Sequence, residues 1–218
     1  MSNDMRAGIF DLDGVIVDTA KYHYLAWKRL AAELGFDFSP ADNERLKGVS
    51  RMRSLEILLE IGGLIRNEEE RRVLSERKNE WYVQYIRAMD ETEILPGAAA
   101  YVRSLRTRGI KTAVASASRN APLILERLGI AALFDAVVDG TSVRRTKPDP
   151  EVFLRAASAL GIPPADCVVF EDAQAGIVAA RSVGMYVIGI GRPEDLNGAD
   201  MVVPGLMNLL PAALPKGK

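Results

Sequence analysis

Two acidic residues, Asp11 and Asp13, close the apolar approach in the segment IFDLDGVIVD and are separated by one leucine. Like charges that close repel, so the pair either holds a cation or divides a reaction between its members. Three further polar clusters follow: Ser116 and Ser118 in SAS, Lys147 in KPDP, and Glu171 with Asp172 in FEDAQAG. Four carboxylates gathered in one place need a cation, and hard oxygen ligands select Mg2+. Lys147 would supply a second positive charge. Ser116, at a strand end before a helix, would offer its hydroxyl and neighbouring N–H groups to a phosphate. In such a site Asp11 would attack phosphorus to give an aspartyl phosphate. Asp13 would then move a proton to or from the substrate hydroxyl.

Each cluster alone has a plainer reading. An Asp-x-Asp-Gly run is often only a turn, and a calcium-binding EF-hand is excluded because the glycine comes too early and position 22 is tyrosine. Glu171 and Asp172 could cap a helix, and Lys147 could be a solvated loop residue. The four clusters gain weight from their positions, each at the carboxyl end of an expected strand.

The first strand is expected over Ala7–Phe10. From about Thr19 to Leu34, Ala20, Tyr24, Trp27, Ala31 and Leu34 recur at helical spacing, with Asp18 or Thr19 as the N-cap and Gly35 as the stop. Helices are expected from Ser39-Pro40, from Ser50 to Gly62, and through NEEERRVLSERKNEWYVQYIRAM, with no strand between them. After Leu95-Pro96-Gly97, helices alternate with the apolar runs IKTAVAS, AVVD, CVVFED, MYVIGIG and MVV. That alternation implies right-handed crossovers and an α/β, doubly wound parallel sheet of Rossmann-like type. The core would comprise residues 1–16 and 93–218, with 17–92 as an inserted α-helical cap. Ligands of such sheets bind outside the carboxyl ends of the strands, where the four clusters would converge.

Composition narrows the function. The 218 residues are 48% hydrophobic and carry a net charge of −1, so no global basic field attracts nucleic acid or an anionic membrane. One cysteine, Cys167, excludes an internal disulfide and reads as core packing in a reducing compartment. No secretory leader or membrane span is expected, and the default is a soluble cytoplasmic protein, taken as monomeric. The only histidine, His23, sits in no nucleophile-elbow pattern and reads equally well as a helix-surface residue. GIGRPEDL lacks the third glycine of a dinucleotide site, and the Trp27 stripe reads as core.

FDLDGVIVDT, SAS, KPDP and EDAQAG resemble the four ordered motifs of the haloacid dehalogenase superfamily of phosphotransferases. DTAKYHYLAWK, LKGVSR, ERKN, SASRNAP, EDAQAGI and GIGRPEDL are similar to the β-phosphoglucomutase family across nearly the whole chain. The resemblance implies Mg2+-dependent conversion of β-glucose 1-phosphate to glucose 6-phosphate through a bound β-glucose 1,6-bisphosphate. By position it makes Asp11 the nucleophile and Asp13 the general acid/base. It assigns Mg2+ to Asp11, the Asp13 backbone carbonyl and Asp172, with Glu171 alongside. Ser116, Ala117 and Lys147 would hold the transferring phosphate, and Arg51, Ser118 and Asn120 the distal one. Lys47, Gly48, Val49, Ser54, Lys78 and Asn79 would shape the sugar side, where Ser50 and Trp27 are counted too. Thr19 and His23 would couple cap closure to Asp13.

A mutase must turn its substrate round, so both phosphates need a site. The core provides one, and a cation on the facing cap the other; the planar fork of Arg51 suits a phosphate. Closure would also exclude the water that otherwise hydrolyses a phosphoenzyme. Two departures from the family pattern are Ala173, where relatives carry a capping serine, and Met52, where they carry an acid. Competing expectations are a sugar-phosphate phosphatase, a mutase of another hexose phosphate, and a non-enzymatic receiver phosphorylated on Asp11.

Overall fold

The computed structural model describes residues 5–46 and 49–210. Its centre is a six-stranded, fully parallel sheet in the order β3-β2-β1-β4-β5-β6. The strands are β1 (Ala7–Phe10), β2 (Lys111–Ala115), β3 (Ala136–Val138), β4 (Cys167–Glu171), β5 (Tyr186–Ile190) and β6 (Met201–Val203). Every expected strand forms, and the order reverses beside β1, which places a crevice at the end of that strand. The central strands are buried on both faces, as continuous apolar runs predict. Phe10 and Phe170 point to one face; Ala7, Ile9, Cys167 and Val169 point to the other.

Helices α1 (Ala20–Glu33), α2 (Pro40–Glu44), α3 (Arg51–Ile61) and α4 (Glu68–Arg87) lie between β1 and β2 in the chain, with no strand among the described residues there. Helices α5 (Ala98–Thr107) and α6 (Ala121–Arg127) cover the Phe10 face, and α7 (Glu151–Leu160) and α8 (Gln174–Ser182) the opposite one. Local signals set the helix starts. Ser39 and Asn67 each form a reciprocal capping box, with Asp42 and Glu70. Ser50 caps α3 by accepting the Arg53 N–H, as its sequence position suggested. Ala173 stands at the N-cap of α8 with no side-chain bond, as its missing hydroxyl requires.

One detail differs from the periodicity. Helix α1 buries Ala26, Trp27, Leu30 and Ala31, and leaves Ala20 exposed. The covered face is set by α4, which packs along α1 and meets its first turn through Tyr22 and His23, leaving Ala20 on the uncovered arc. Thr19 takes the N-cap position without capping through its side chain, while Asp18 accepts the Ala20 N–H. Cys167 is buried in the core as expected.

Phe10 anchors the face below the site. Its ring stacks on Phe170 at 4.4 Å and meets Tyr101 and Phe134 edge-on. Phe10→Ala should therefore lower unfolding stability by about 3–5 kcal/mol. Urea unfolding checks this, and a loss below about 1 kcal/mol would mean that the surrounding rings close over the cavity.

Candidate active site

The site is assembled from chain ends that the sheet brings level. Asp11 follows β1 directly, its N–H bonded to the Phe170 carbonyl of β4 at 2.9 Å. The chain then turns tightly: Ile16 and Val17 N–H groups bond back to the Leu12 carbonyl, and Gly14 N–H bonds to the Val17 carbonyl. Gly14 is needed twice over. Its φ is +80°, and a Cβ there would run into the Asp172 carboxylate. That turn brings Asp13 to the same region as Asp11.

Lys147 comes from the loop after β3 and is 8% exposed. Its Nζ donates to Asp11 Oδ1 at 2.5 Å, to Glu171 Oε2 at 2.7 Å and to the Ala115 carbonyl at 3.3 Å. Burial alone would lower the lysine's pKa, yet the Asp11 and Glu171 charges outweigh it and raise the value above normal. Glu171 also accepts the Ala173 N–H, and Gly176 leaves room for its carboxylate. Burial, then like charges, push Asp172 up to about 7; burial also pushes Glu171 up to about 8, though Lys147 opposes it. The acids outnumber the ammonium. Asp11, Glu171 and Asp172 each present one ligand oxygen, all within 4.8 Å of one another, a donor set that fits a hard divalent cation.

The Asp13 carboxylate stands apart from that trio and accepts a hydrogen bond from the fully buried Thr19 hydroxyl. Burial, with the Asp11 charge second, pushes Asp13 up to about 7. Ser116 is buried; its Oγ accepts the Ser118 N–H, and Ser118 Oγ accepts the Asn120 N–H. This loop spends two amides internally and keeps the hydroxyl protons of Ser116 and Ser118 available. Ala117 lies between them, half-buried.

Facing these core groups are the helices of the insertion. Lys78 of α4 is 2% exposed and, among the described residues, has no carboxylate in hydrogen-bonding contact. Its Nζ lies 2.8 Å from His23 Nδ1, 4.5 Å over the Trp27 ring and 4.8 Å over the Tyr82 ring. Burial first, and neighbouring cations second, hold both His23 and Lys78 well below their usual values. A neutral His23 accepting from Lys78 satisfies the pair. Trp27 is buried under Lys78, so it supports the lysine rather than presenting a surface to solvent. Asn120, the N-cap of α6, does not cap it; its Nδ2 donates to Asn79 Oδ1 of α4 at 3.1 Å and ties the two sides together. Arg51 opens α3, its pKa lowered by burial and by the charge of Arg119 across the cleft. Ser54 is buried, Val49 exposed, and Lys47 and Gly48 lie outside the described residues.

Sequence reasoning missed two neighbours. Arg119 lies between Ser118 and Asn120, both singled out, and a cation in that loop was the available signal. Tyr82, stacked on His23 at 4.1 Å, carried no signal beyond its place in an amphipathic helix.

Residues 5–184 match the model of the haloacid dehalogenase-like hydrolases. The chain belongs to that family. It is 47% identical to a β-phosphoglucomutase of Bacillus subtilis over 91% of this chain and 89% of that protein. A crystal structure of β-phosphoglucomutase from Clostridium difficile superposes with a TM-score of 0.90 at 42% identity, covering 94% of this chain and 93% of that one. Within the family the enzyme groups with the β-phosphoglucomutases. The fructose-1-phosphate phosphatase YqaB of Escherichia coli is also similar, 33% identical over 84% of this chain and 94% of that protein. No helix among the described residues is long and apolar enough to cross a membrane.

Replacing Lys147 by Met would leave Asp11 and Glu171 buried without their counter-charge. In EDTA this should cost about 3–5 kcal/mol of unfolding stability, measured in urea; a loss under about 1 kcal/mol would show the acids neutralised by protonation instead. Adding Mg2+ should raise the melting temperature of the wild-type protein, and Asp172→Asn should shrink that rise. An equal rise in the variant would place the cation elsewhere.

Proposed function

We propose that the protein interconverts β-glucose 1-phosphate and glucose 6-phosphate by way of a phosphorylated Asp11, with β-glucose 1,6-bisphosphate as primer and intermediate. The observation that carries this reading is the second cationic pole of the cleft. The Arg51 guanidinium, on the helical insertion, has its proton affinity lowered by burial and then by the charge of Arg119, on the sheet side, and neither has an ion-pair partner among the described residues. Two guanidinium groups at one place favour an anion between them. With Lys147 and the Ser116 hydroxyl at the other pole, the cleft can hold both phosphates of a bisphosphate. A phosphatase needs one such pole; a mutase needs two.

The primer leaves a phosphoryl group on Asp11. In the first half-reaction the free hydroxyl of β-glucose 1-phosphate attacks phospho-Asp11; Asp13 takes the hydroxyl proton, and the Asp11 carboxylate leaves as the bisphosphate forms. After the bisphosphate is turned round, an Asp11 oxygen bonds to the other phosphorus as its bond to the sugar oxygen breaks. Asp13 returns the proton to that oxygen, a role suited to a carboxyl pushed up to about 7, and glucose 6-phosphate departs with Asp11 phosphorylated again. Lys147 neutralises the phosphoryl oxygens from beside Asp11 throughout. Mg2+, held by Asp11, the Asp13 carbonyl and Asp172 with Glu171 beside them, would supply further charge on those oxygens. Residues 17–92 act as the cap: Lys78, Asn79, Ser54 and Val49 line its sugar side, and the Asn79–Asn120 bond helps to hold it over the core and keep out water. The single, buried Cys167 supports a reducing, cytoplasmic setting.

The deciding experiment supplies Mg2+, β-glucose 1-phosphate and a trace of β-glucose 1,6-bisphosphate, and follows glucose 6-phosphate and free phosphate together. Glucose 6-phosphate should dominate. Mainly free phosphate would make the enzyme a capped phosphatase like the Escherichia coli relative. Asp11→Asn should lower all turnover by about 10^4-fold or more. Asp13→Asn should lower sugar-phosphate turnover about 10^2- to 10^4-fold. Arg51→Ala should damage isomerisation far more than hydrolysis of an aryl phosphate; equal losses would make it structural.

A further inference from the structure

Tyr82 of α4 is 1% exposed, its ring clamped between the His23 stack and the Lys78 ammonium. Its hydroxyl oxygen is buried and makes no hydrogen bond of acceptable geometry among the described residues. A buried donor without a partner is uncommon and calls for a physical explanation. Substrate cannot be that partner in this arrangement, because the oxygen is shut off from solvent. The neighbour on the α1 side is the Thr19 hydroxyl, whose only proton is committed to Asp13 Oδ1. A hydroxyl that donates retains two lone pairs. Thr19 thus offers an acceptor where Tyr82 offers a donor. Burial, and after it the Asp13 charge, hold the Tyr82 phenol protonated well above its usual range, so it remains a donor at any working pH.

We propose that Tyr82 is a positioning residue for Asp13: its phenol donates to Thr19 Oγ1, and Thr19 donates to the Asp13 carboxylate. Hydrogen bonds in such a chain polarise one another, so the outer member strengthens the inner one. Because Tyr82 rides on α4 beside Lys78 and Asn79, the chain makes the orientation of Asp13 depend on the seating of that helix. The inference rests on the assignment of Asp13 as the proton donor to a sugar oxygen.

Tyr82→Phe keeps the ring and removes only the hydroxyl. Turnover of β-glucose 1-phosphate, primed as above, is compared with that of p-nitrophenyl phosphate, whose leaving group needs no proton. The variant should lower kcat on the sugar phosphate about tenfold with KM within about twofold, and lose far less on the aryl phosphate. Thr19→Val should act in the same sense, and the double variant should be no worse than Thr19→Val alone. Wild-type kcat with a raised melting temperature would overturn the proposal, leaving the phenol an orphan without a task. Equal losses on both substrates, or additive effects in the double variant, would also overturn it. If the wild-type enzyme releases free phosphate in place of glucose 6-phosphate, the mutase reading fails. The sugar-to-aryl ratio still tests Tyr82, since a sugar leaving group needs the proton either way.

Discussion

The ammonium of Lys147 between Asp11 and Glu171 is the contact on which the site depends. A lysine buried to this degree would shed its proton alone; the carboxylates of Asp11 and Glu171 beside it hold it charged. The triad joins four parts of the chain: the end of β1, the end of β4, the last carbonyl of β2 and the loop after β3. It can form because Phe10 is in register with Val114 on one side and Phe170 on the other, so all three strands end level. Three acids, Asp11, Glu171 and Asp172, face one ammonium; all ionised they would carry two negative charges in excess, and burial with like charge instead pushes Glu171 and Asp172 up to about 8 and about 7. A divalent cation balances that excess. The motif is therefore a charge ledger that closes only when the sheet aligns its contributors.

The two buried lysines solve the same problem differently. Lys147 has carboxylates; Lys78 has two aromatic faces and a histidine nitrogen. Aromatic rings attract a cation without adding net charge, while burial lowers the lysine's own proton affinity. Arg51 and Arg119 give the far wall its positive sign. The cleft is thereby polarised, acidic at its floor and cationic at its far wall, a field suited to an elongated dianionic ligand.

The strand ends and the groups they carry were readable in the sequence because β-strand runs and turn glycines are local signals. The all-helical excursion was readable for the same reason: Ser39, Ser50 and Asn67 announce helix starts by chemistry confined to three residues. What escaped was long-range. His23 read equally well as a surface residue because nothing within α1 reveals Lys78 and Tyr82, which arrive from α4. Ala20 was counted in the α1 stripe because a period fixes spacing but not which arc another helix will cover. Thr19 shows the limit most clearly: at a helix start its hydroxyl would be expected to cap, yet it turns to Asp13. Arg119 was passed over because an exposed loop arginine means little until Arg51 faces it.

The helical excursion leaves and rejoins the core at adjoining points of backbone. Val17 bridges Ile94, and the Leu95 N–H bonds to the Ile16 carbonyl at 2.9 Å. To the sheet, the whole insertion is a loop already closed at its neck. Closure entropy grows only logarithmically with length, about 0.6 kcal/mol per doubling, so what hangs beyond the neck weighs little on the pairing of β1 with β2. Lengthening, shortening or exchanging that excursion would leave the strand pairing that levels Asp11, Lys147 and Glu171 nearly indifferent, with Asp13 alone answering to α4. One chemical base can thus be fitted with different lids, and selection for a new sugar can act on the lid alone.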